Sequence, residues 1–106
     1  MDLDSALKIS REVEAEYVQI NESKGRAAWG VSEYMQGLVG DIGDLAKLVM
    51  AKQGFRDVEN VDEKLRHELA DCLWSLLIIS EKLDIDLAET YAFEMKALLA
   101  KLSERR

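Results

Sequence analysis

Proline is absent from this chain of 106 residues, so no ring removes an amide donor from the interior of a helix. Cysteine occurs once, as Cys72. It has no internal disulfide partner, and a reducing, cytoplasmic setting is the expectation. Histidine also occurs once, as His67. One Cys and one His together leave a zinc site without its usual ligands, and leave the serines without a histidine base for nucleophilic catalysis. Long apolar runs are missing. The longest stretch without a charge, residues 72–80, has nine residues, against the ~20 that a membrane-spanning helix needs. The opening Met1-Asp2-Leu3-Asp4 lacks the basic-then-apolar order of a secretory leader. No glycine-rich phosphate loop is present.

Basic residues are also in short supply. Lys and Arg number 14 against 21 Asp and Glu, for a formal net charge of -7. That balance repels nucleic-acid backbones and anionic membranes, so DNA, RNA and membrane surfaces are not the expected partners. An acidic chain can still handle phosphates where divalent metal ions reverse the local field.

What remains is a chain that is 48% hydrophobic and 33% charged, a composition that folds as one small globular domain. Apolar residues recur at helical spacing in four segments, separated by breaks rich in Gly and Asn. The first segment covers about residues 5–20, with Ile9, Val13, Tyr17 and Ile20 in line. Residues 21–30 read as a loop. Ser32 is a fitting N-cap for a second helix that reaches Gln53 and ends at Gly54. Its apolar stripe is Met35, Leu38, Val39, Ile42, Leu45, Ala46 and Val49.

Asp62 can cap a third helix reaching about Leu83, and Asp86 with Glu89 has the capping-box spacing that opens a fourth, running toward Ser103. The short link between the third and fourth segments predicts antiparallel neighbours. No segment alternates as a strand does. The expectation is an all-α, four-helix bundle-like single domain over residues 1–106. In the third helix every residue of 72–79 except Ser75 is apolar. A helix that is apolar around its girth needs cover on all sides, so a homo-oligomer is expected, with a second subunit supplying part of that cover.

Two acidic pairs interrupt this apolar pattern. Asp41 and Asp44 lie in the second helix, Glu68 and Asp71 in the third. A spacing of i, i+3 puts both members of a pair on adjacent turns of one face. Gly37, Gly40 and Leu48 share the face of Asp41 and Asp44, and Gly43 lies between them. Each glycine inside a helix costs about 1 kcal/mol relative to alanine. Close approach of a neighbouring helix and access for a ligand both account for that expense.

A lone acidic pair is ordinarily a solvated face. Two pairs bordered by glycine and by an apolar helix are desolvated carboxylates, which need a balancing cation. An oxygen-only cage suits a hard ion, Mg²⁺ or Mn²⁺. His67 adjoins Glu68 but points about 100° away, as a surface residue or one that touches a ligand from outside.

With these residues in place the chain resembles the MazG-like, all-α nucleoside triphosphate pyrophosphohydrolases, relatives of the dimeric dUTPases. That family carries an ExxE pair in one helix and an ExxD pair in the next. The corresponding stretches here are Leu38-Val39-Gly40-Asp41-Ile42-Gly43-Asp44-Leu45 and Glu68-Leu69-Ala70-Asp71-Cys72-Leu73-Trp74, followed by the Asp84-Ile85-Asp86-Leu87 turn. The resemblance covers about residues 29–102.

It implies hydrolysis of a nucleoside triphosphate between the α- and β-phosphates, giving a monophosphate and pyrophosphate, with Asp41, Asp44, Glu68 and Asp71 as metal-binding and catalytic residues. It also implies Mg²⁺ as cofactor, with Mn²⁺ as a substitute. A dimer or a tetramer and a part in clearing the nucleotide pool are implied too. The alternative is a catalytically weak relative that serves as an oligomeric binding or regulatory module.

The first pair departs from the family, since both glutamates are aspartates here. Each arm is one methylene shorter, which retracts its oxygens by ~1 Å. Either the glycine-lined helix stands closer, or water fills the gap, or metal binding is weaker. Among substrate contacts the family's phosphate-binding cations in the fourth helix are best matched by Lys96, then by Lys101 and Arg105. Trp29, in the loop before the second helix, either stacks on a base or lids the bundle. Lys24 and Arg26 in that loop either meet phosphate oxygens or face water. Trp74 belongs to the apolar helix and is expected in the core or the interface, away from the base.

Overall fold

The computed structural model describes residues 1–105, and over these the chain is all helix with no strand. The order is α1 (Leu3–Ser23), α2 (Val31–Lys52), α3 (Val61–Lys82) and α4 (Leu87–Glu104). No helix among the described residues is long and apolar enough to cross a membrane. The class and the number of helices agree with the sequence expectation.

The first three helices end in the same way. Gly25, Gly54 and Asp84 each take a positive φ one residue past the cap. In each case the following amide donates back across the last turn: Arg26 to Asn21, Phe55 to Met50 and Ile85 to Ser80. This is the Schellman arrangement, which satisfies carbonyls that the helix leaves unpaired. Gly25 therefore carries α1 three residues beyond the expected end.

Two expected N-caps shift. At α2 the cap is Gly30, whose N–H donates to the Glu33 carboxylate at 2.7 Å. Ser32 already lies inside the helix. At α3 the cap is Asn60 in a left-handed conformation, and Asp62 instead accepts from Lys52 Nζ at 2.5 Å. The fourth start is as expected, with the Asp86 side chain accepting from the Glu89 amide at 3.1 Å.

The central pair is α2 with α3, and α1 lies across α3. The core is small: Tyr34, Leu38 and Leu48 from α2 and Leu77 and Ile78 from α3. Arg11 pairs with Glu81, and Lys82 Nζ donates to Glu14 at 3.0 Å while standing 5.6 Å from the centre of the Tyr34 ring. These contacts tie α1 to the end of α3. The buried face of α2 thus runs through positions 34, 38, 41, 45 and 48. Of the stripe read as its core only Leu38 and Leu45 turn inward, because Met35, Val39, Ile42, Ala46 and Val49 are exposed, Val39 by 60%.

The fourth helix departs furthest from expectation. It touches α1 and α3 but not α2, and it buries no residue. From residue 89 onward every described residue of α4 is exposed, so the antiparallel pairing with α3 is not made along the helix. Asp84 in the left-handed region turns the chain away directly after α3. The radius of gyration is 17.0 Å, where a compact domain of this length has about 13 Å.

Candidate metal centre

Asp41 lies on the buried face of α2, one turn after Leu38 and two turns before Leu48, both of which are buried. Asp44 follows one turn later at the exposed edge, and Glu68 faces both from α3. Asp41, Asp44 and Glu68 each offer an oxygen, and the three oxygens lie within 4.8 Å of one another. Two opposed bonds from a magnesium ion to oxygen span about 4.2 Å, so this spacing is close to what one hard ion requires. The shorter arms of the aspartates therefore still reach across to Glu68.

Gly40 and Gly43 do not bring this about through contact within the chain, since a Cβ at either would meet nothing within 4 Å. Of the three glycines inside α2, Gly37 alone faces a neighbour, the Trp29 ring, at 3.4 Å from an added Cβ.

Electrostatics agree with the geometry. Glu68 Oε2 is buried and has no hydrogen-bond partner, a state that costs several kcal/mol for an ionised carboxylate unless something balances it. Burial, then the charges of Asp41, Asp71 and Asp44, push the Glu68 carboxyl above its ordinary range. Burial, then Asp71 and Asp44, do the same to Asp41. Cys72, next to the cluster, is held as the neutral thiol by burial and by the same acids. A divalent cation would balance these buried like charges, and an all-oxygen donor set is of the kind that suits hard ions over softer ones.

Asp71 stands apart from the trio. His67 Nε2 lies 3.1 Å from its Oδ2, one turn along α3. This carboxylate borders a second feature, a cleft of about 750 Å³ that Asp41 also lines. Its aromatic wall is Tyr17, Trp29, Tyr34 and Trp74, with Asn21 and Arg26 at the rim. Tyr34 meets Trp29 edge-on at 5.3 Å and Trp74 at 5.7 Å, and Trp74 meets Tyr17 at 5.7 Å. The Trp74 indole N–H donates to the Ser10 carbonyl at 3.1 Å, which fixes the ring. Burial, then the nearby Glu14 carboxylate, keep the Tyr34 phenol protonated.

Trp29 and Arg26 thus stand beside the carboxylates. Trp74, expected in core or interface, is part of the cleft wall. Lys24 and Lys96 line neither this cleft nor the smaller one on the far side of the carboxylates. Tyr17 and Tyr34 were not expected here. Spacing carries a signal for two of the wall residues, since Tyr34 precedes Asp41 by two helical turns and Trp74 follows Asp71 by one.

No family model, no curated protein and no solved structure matches this chain.

Proposed function

We propose that this chain is a metal-dependent nucleoside triphosphate pyrophosphohydrolase of the MazG-like kind. The observation that carries the reading is the buried, unpartnered Glu68 Oε2 beside Asp41 and Asp44, with Asp41 in turn lining the aromatic cleft. Asp41, Asp44 and Glu68 hold Mg²⁺ or Mn²⁺. When bound, the ion neutralises phosphate charge and lowers the pKa of water. The cleft takes the base, with Trp29 and Tyr17 offering aromatic surface for stacking. Arg26 at its rim is a donor for the sugar–phosphate. Asp71, paired with His67 and lining the cleft, stands outside the trio and acts toward the substrate. Water attacks the α-phosphorus, and the bond from that phosphorus to the α–β bridging oxygen breaks. Pyrophosphate leaves with that oxygen, the monophosphate keeps the water oxygen, and the water's proton passes to solvent. A site of this kind belongs in the cytoplasm, where nucleoside triphosphates and reduced thiols coexist.

Self-association is part of the same reading. The chain exposes 8204 Å², whereas a compact monomer of 12.0 kDa exposes about 6,000 Å². The difference, roughly 2,000 Å², is of the size that an obligate dimer buries. Val39 and Ile42 on α2, Leu69, Leu73 and Leu76 on α3, and Phe93 and Leu99 on α4 are the uncovered residues that a second copy would shield. Lys96 on α4 reaches phosphates only in such an assembly.

The test is pyrophosphate release from a panel of ordinary and modified nucleoside triphosphates with Mg²⁺ or Mn²⁺. Release that requires the metal and stops in Glu68→Gln is the expected result. No release from any triphosphate at high protein concentration leaves the binding or regulatory module in its place.

A further inference from the structure

The carboxylate trio lies between two cavities of opposite chemistry. Asp41 lines the aromatic cleft, while Asp44 and Glu68 line a second one of about 540 Å³ on the other side. The wall of this second cavity holds Lys47, Arg56, Lys64 and His67. Lys47 stands one turn after Asp44 on α2, and Lys64 one turn before Glu68 on α3, so both flank the same end of the cluster. Arg56 comes from the connection between the two helices, just past the Gly54 turn.

Lys47, Arg56 and Lys64 are in no ion pair among the described residues, although neighbouring Lys52 is held by Asp62. The cavity also reaches Asn60 and the first turn of α3, which has no side-chain cap. Once Asp44 and Glu68 are taken up by a cation, what faces this space is three free cationic groups against a single carboxylate, that of Glu63. In a chain of net charge -7, that is a local reversal of sign.

We infer that this cavity binds the terminal phosphates of a polyphosphate chain, with Lys47, Arg56 and Lys64 as the binding residues. The inference rests on reading the trio as a metal centre, and it gives the substrate a direction. The base lies against the aromatic wall, the scissile linkage at the carboxylates, and the two outer phosphates among cations that come from α2, α3 and their connection. Charge-assisted donors of the Arg and Lys type are the groups that hold such oxygens. The pyrophosphate formed is then already in the cavity it must leave.

Inorganic tripolyphosphate, which has no base, isolates this half of the site. Its affinity is measured by calorimetry in Mn²⁺, and Mn²⁺ affinity by paramagnetic resonance in its absence. The variants are Lys47→Gln/Arg56→Gln/Lys64→Gln and, with the same loss of charge elsewhere, Lys8→Gln/Arg11→Gln/Arg66→Gln. The expected result is tripolyphosphate binding weakened by roughly tenfold or more in the first variant, with Mn²⁺ affinity unchanged and the second variant like wild type. The inference is overturned, and the metal centre kept, if wild type binds Mn²⁺ but not tripolyphosphate. It is overturned equally if the first variant binds tripolyphosphate as wild type does, or if both variants lose it alike. Wild type that takes up no Mn²⁺ removes the metal centre, and this inference with it. All the substituted side chains are exposed, and far-UV dichroism of each variant confirms the helices. Should the first variant lose helix, the three single substitutions carry the same comparison.

Discussion

His67 and Asp71 form an i, i+4 pair on α3, Nε2 to Oδ2 at 3.1 Å, and this pair separates the fourth acid from the other three. Asp71 is turned toward the aromatic cleft, while Asp41, Asp44 and Glu68 converge. The two kinds of acid therefore have separable jobs. Asp71→Asn is expected to abolish pyrophosphate release while Mn²⁺ still binds, because the amide is nearly isosteric and the trio is untouched. Glu68→Gln is expected to abolish both. Paramagnetic resonance of Mn²⁺ alongside a pyrophosphate assay separates the two outcomes, and equal loss of Mn²⁺ in both variants would contradict the division.

A second prediction follows from burial of like charge. The folded state raises the Glu68 pKa above its ordinary 4.5, so it holds a proton more tightly than the unfolded chain does. The metal-free fold therefore loses stability as pH rises from the ordinary value through the raised one, and the loss is complete above it. At pH 7 without metal, Glu68→Gln is expected to melt above wild type, and the gap should close in acid below the ordinary carboxylate range. Millimolar Mg²⁺ or Mn²⁺ should raise the wild-type melting point and leave the variant where it was. Thermal melts across pH with and without metal measure all of this.

Arm length gives a third. The oxygens of Asp41 and Asp44 already lie within 4.8 Å of Glu68. Lengthening both arms by a methylene carries those oxygens past a spacing already close to that of one hard ion. Asp41→Glu/Asp44→Glu is expected to bind Mn²⁺ more weakly, by roughly 1 kcal/mol, the cost of holding an arm off its rotamer, with helix content unchanged. Equal or tighter binding in a Mn²⁺ titration would mean that the helices separate to accept the longer arms.

The fourth concerns Trp29. A Cβ at Gly37 comes to 3.4 Å from the Trp29 ring, so a methyl fits and a larger group does not. Gly37→Ala should keep the cleft and gain up to about 1 kcal/mol in helix stability. Gly37→Leu should push Trp29 off Tyr34, raising KM for the triphosphate more than it lowers kcat. Tryptophan fluorescence reports the displacement independently of turnover.

The fifth tests assembly. Phe93 and Leu99 on α4 are 70% and 66% exposed in the chain by itself. If a second copy covers them, wild type scatters light as a multiple of 12.0 kDa. Phe93→Asp/Leu99→Asp should then dissociate, since a charge would have to be buried unpaired. A wild type that runs as a monomer at micromolar concentration would overturn the assembly.

Local rules read from the sequence determined the helical class, the four segments and the position of the acidic pairs, because periodicity, capping and the absence of proline act within one or two turns. The Asp86 cap and the Gly54 terminator are cases of this. The buried side of each helix was decided by tertiary structure. Val39 and Ile42 have the spacing of a core stripe, but α3 approaches through Leu38, Asp41 and Leu48 instead, and hydrophobicity is blind to which apolar face meets a neighbour within the chain. The same limit explains Trp74, which periodicity assigned to a core or an interface and which contact with α1, through its bond to Ser10, set in the wall of a cleft. Residue types placed four carboxylates on facing helices. Only the fold parted Asp71 from the trio, left Glu68 Oε2 buried without a partner, and gathered Lys47, Arg56 and Lys64 at one end. Those outcomes depend on distances between segments 20 or so residues apart in sequence, and no local pattern encodes them.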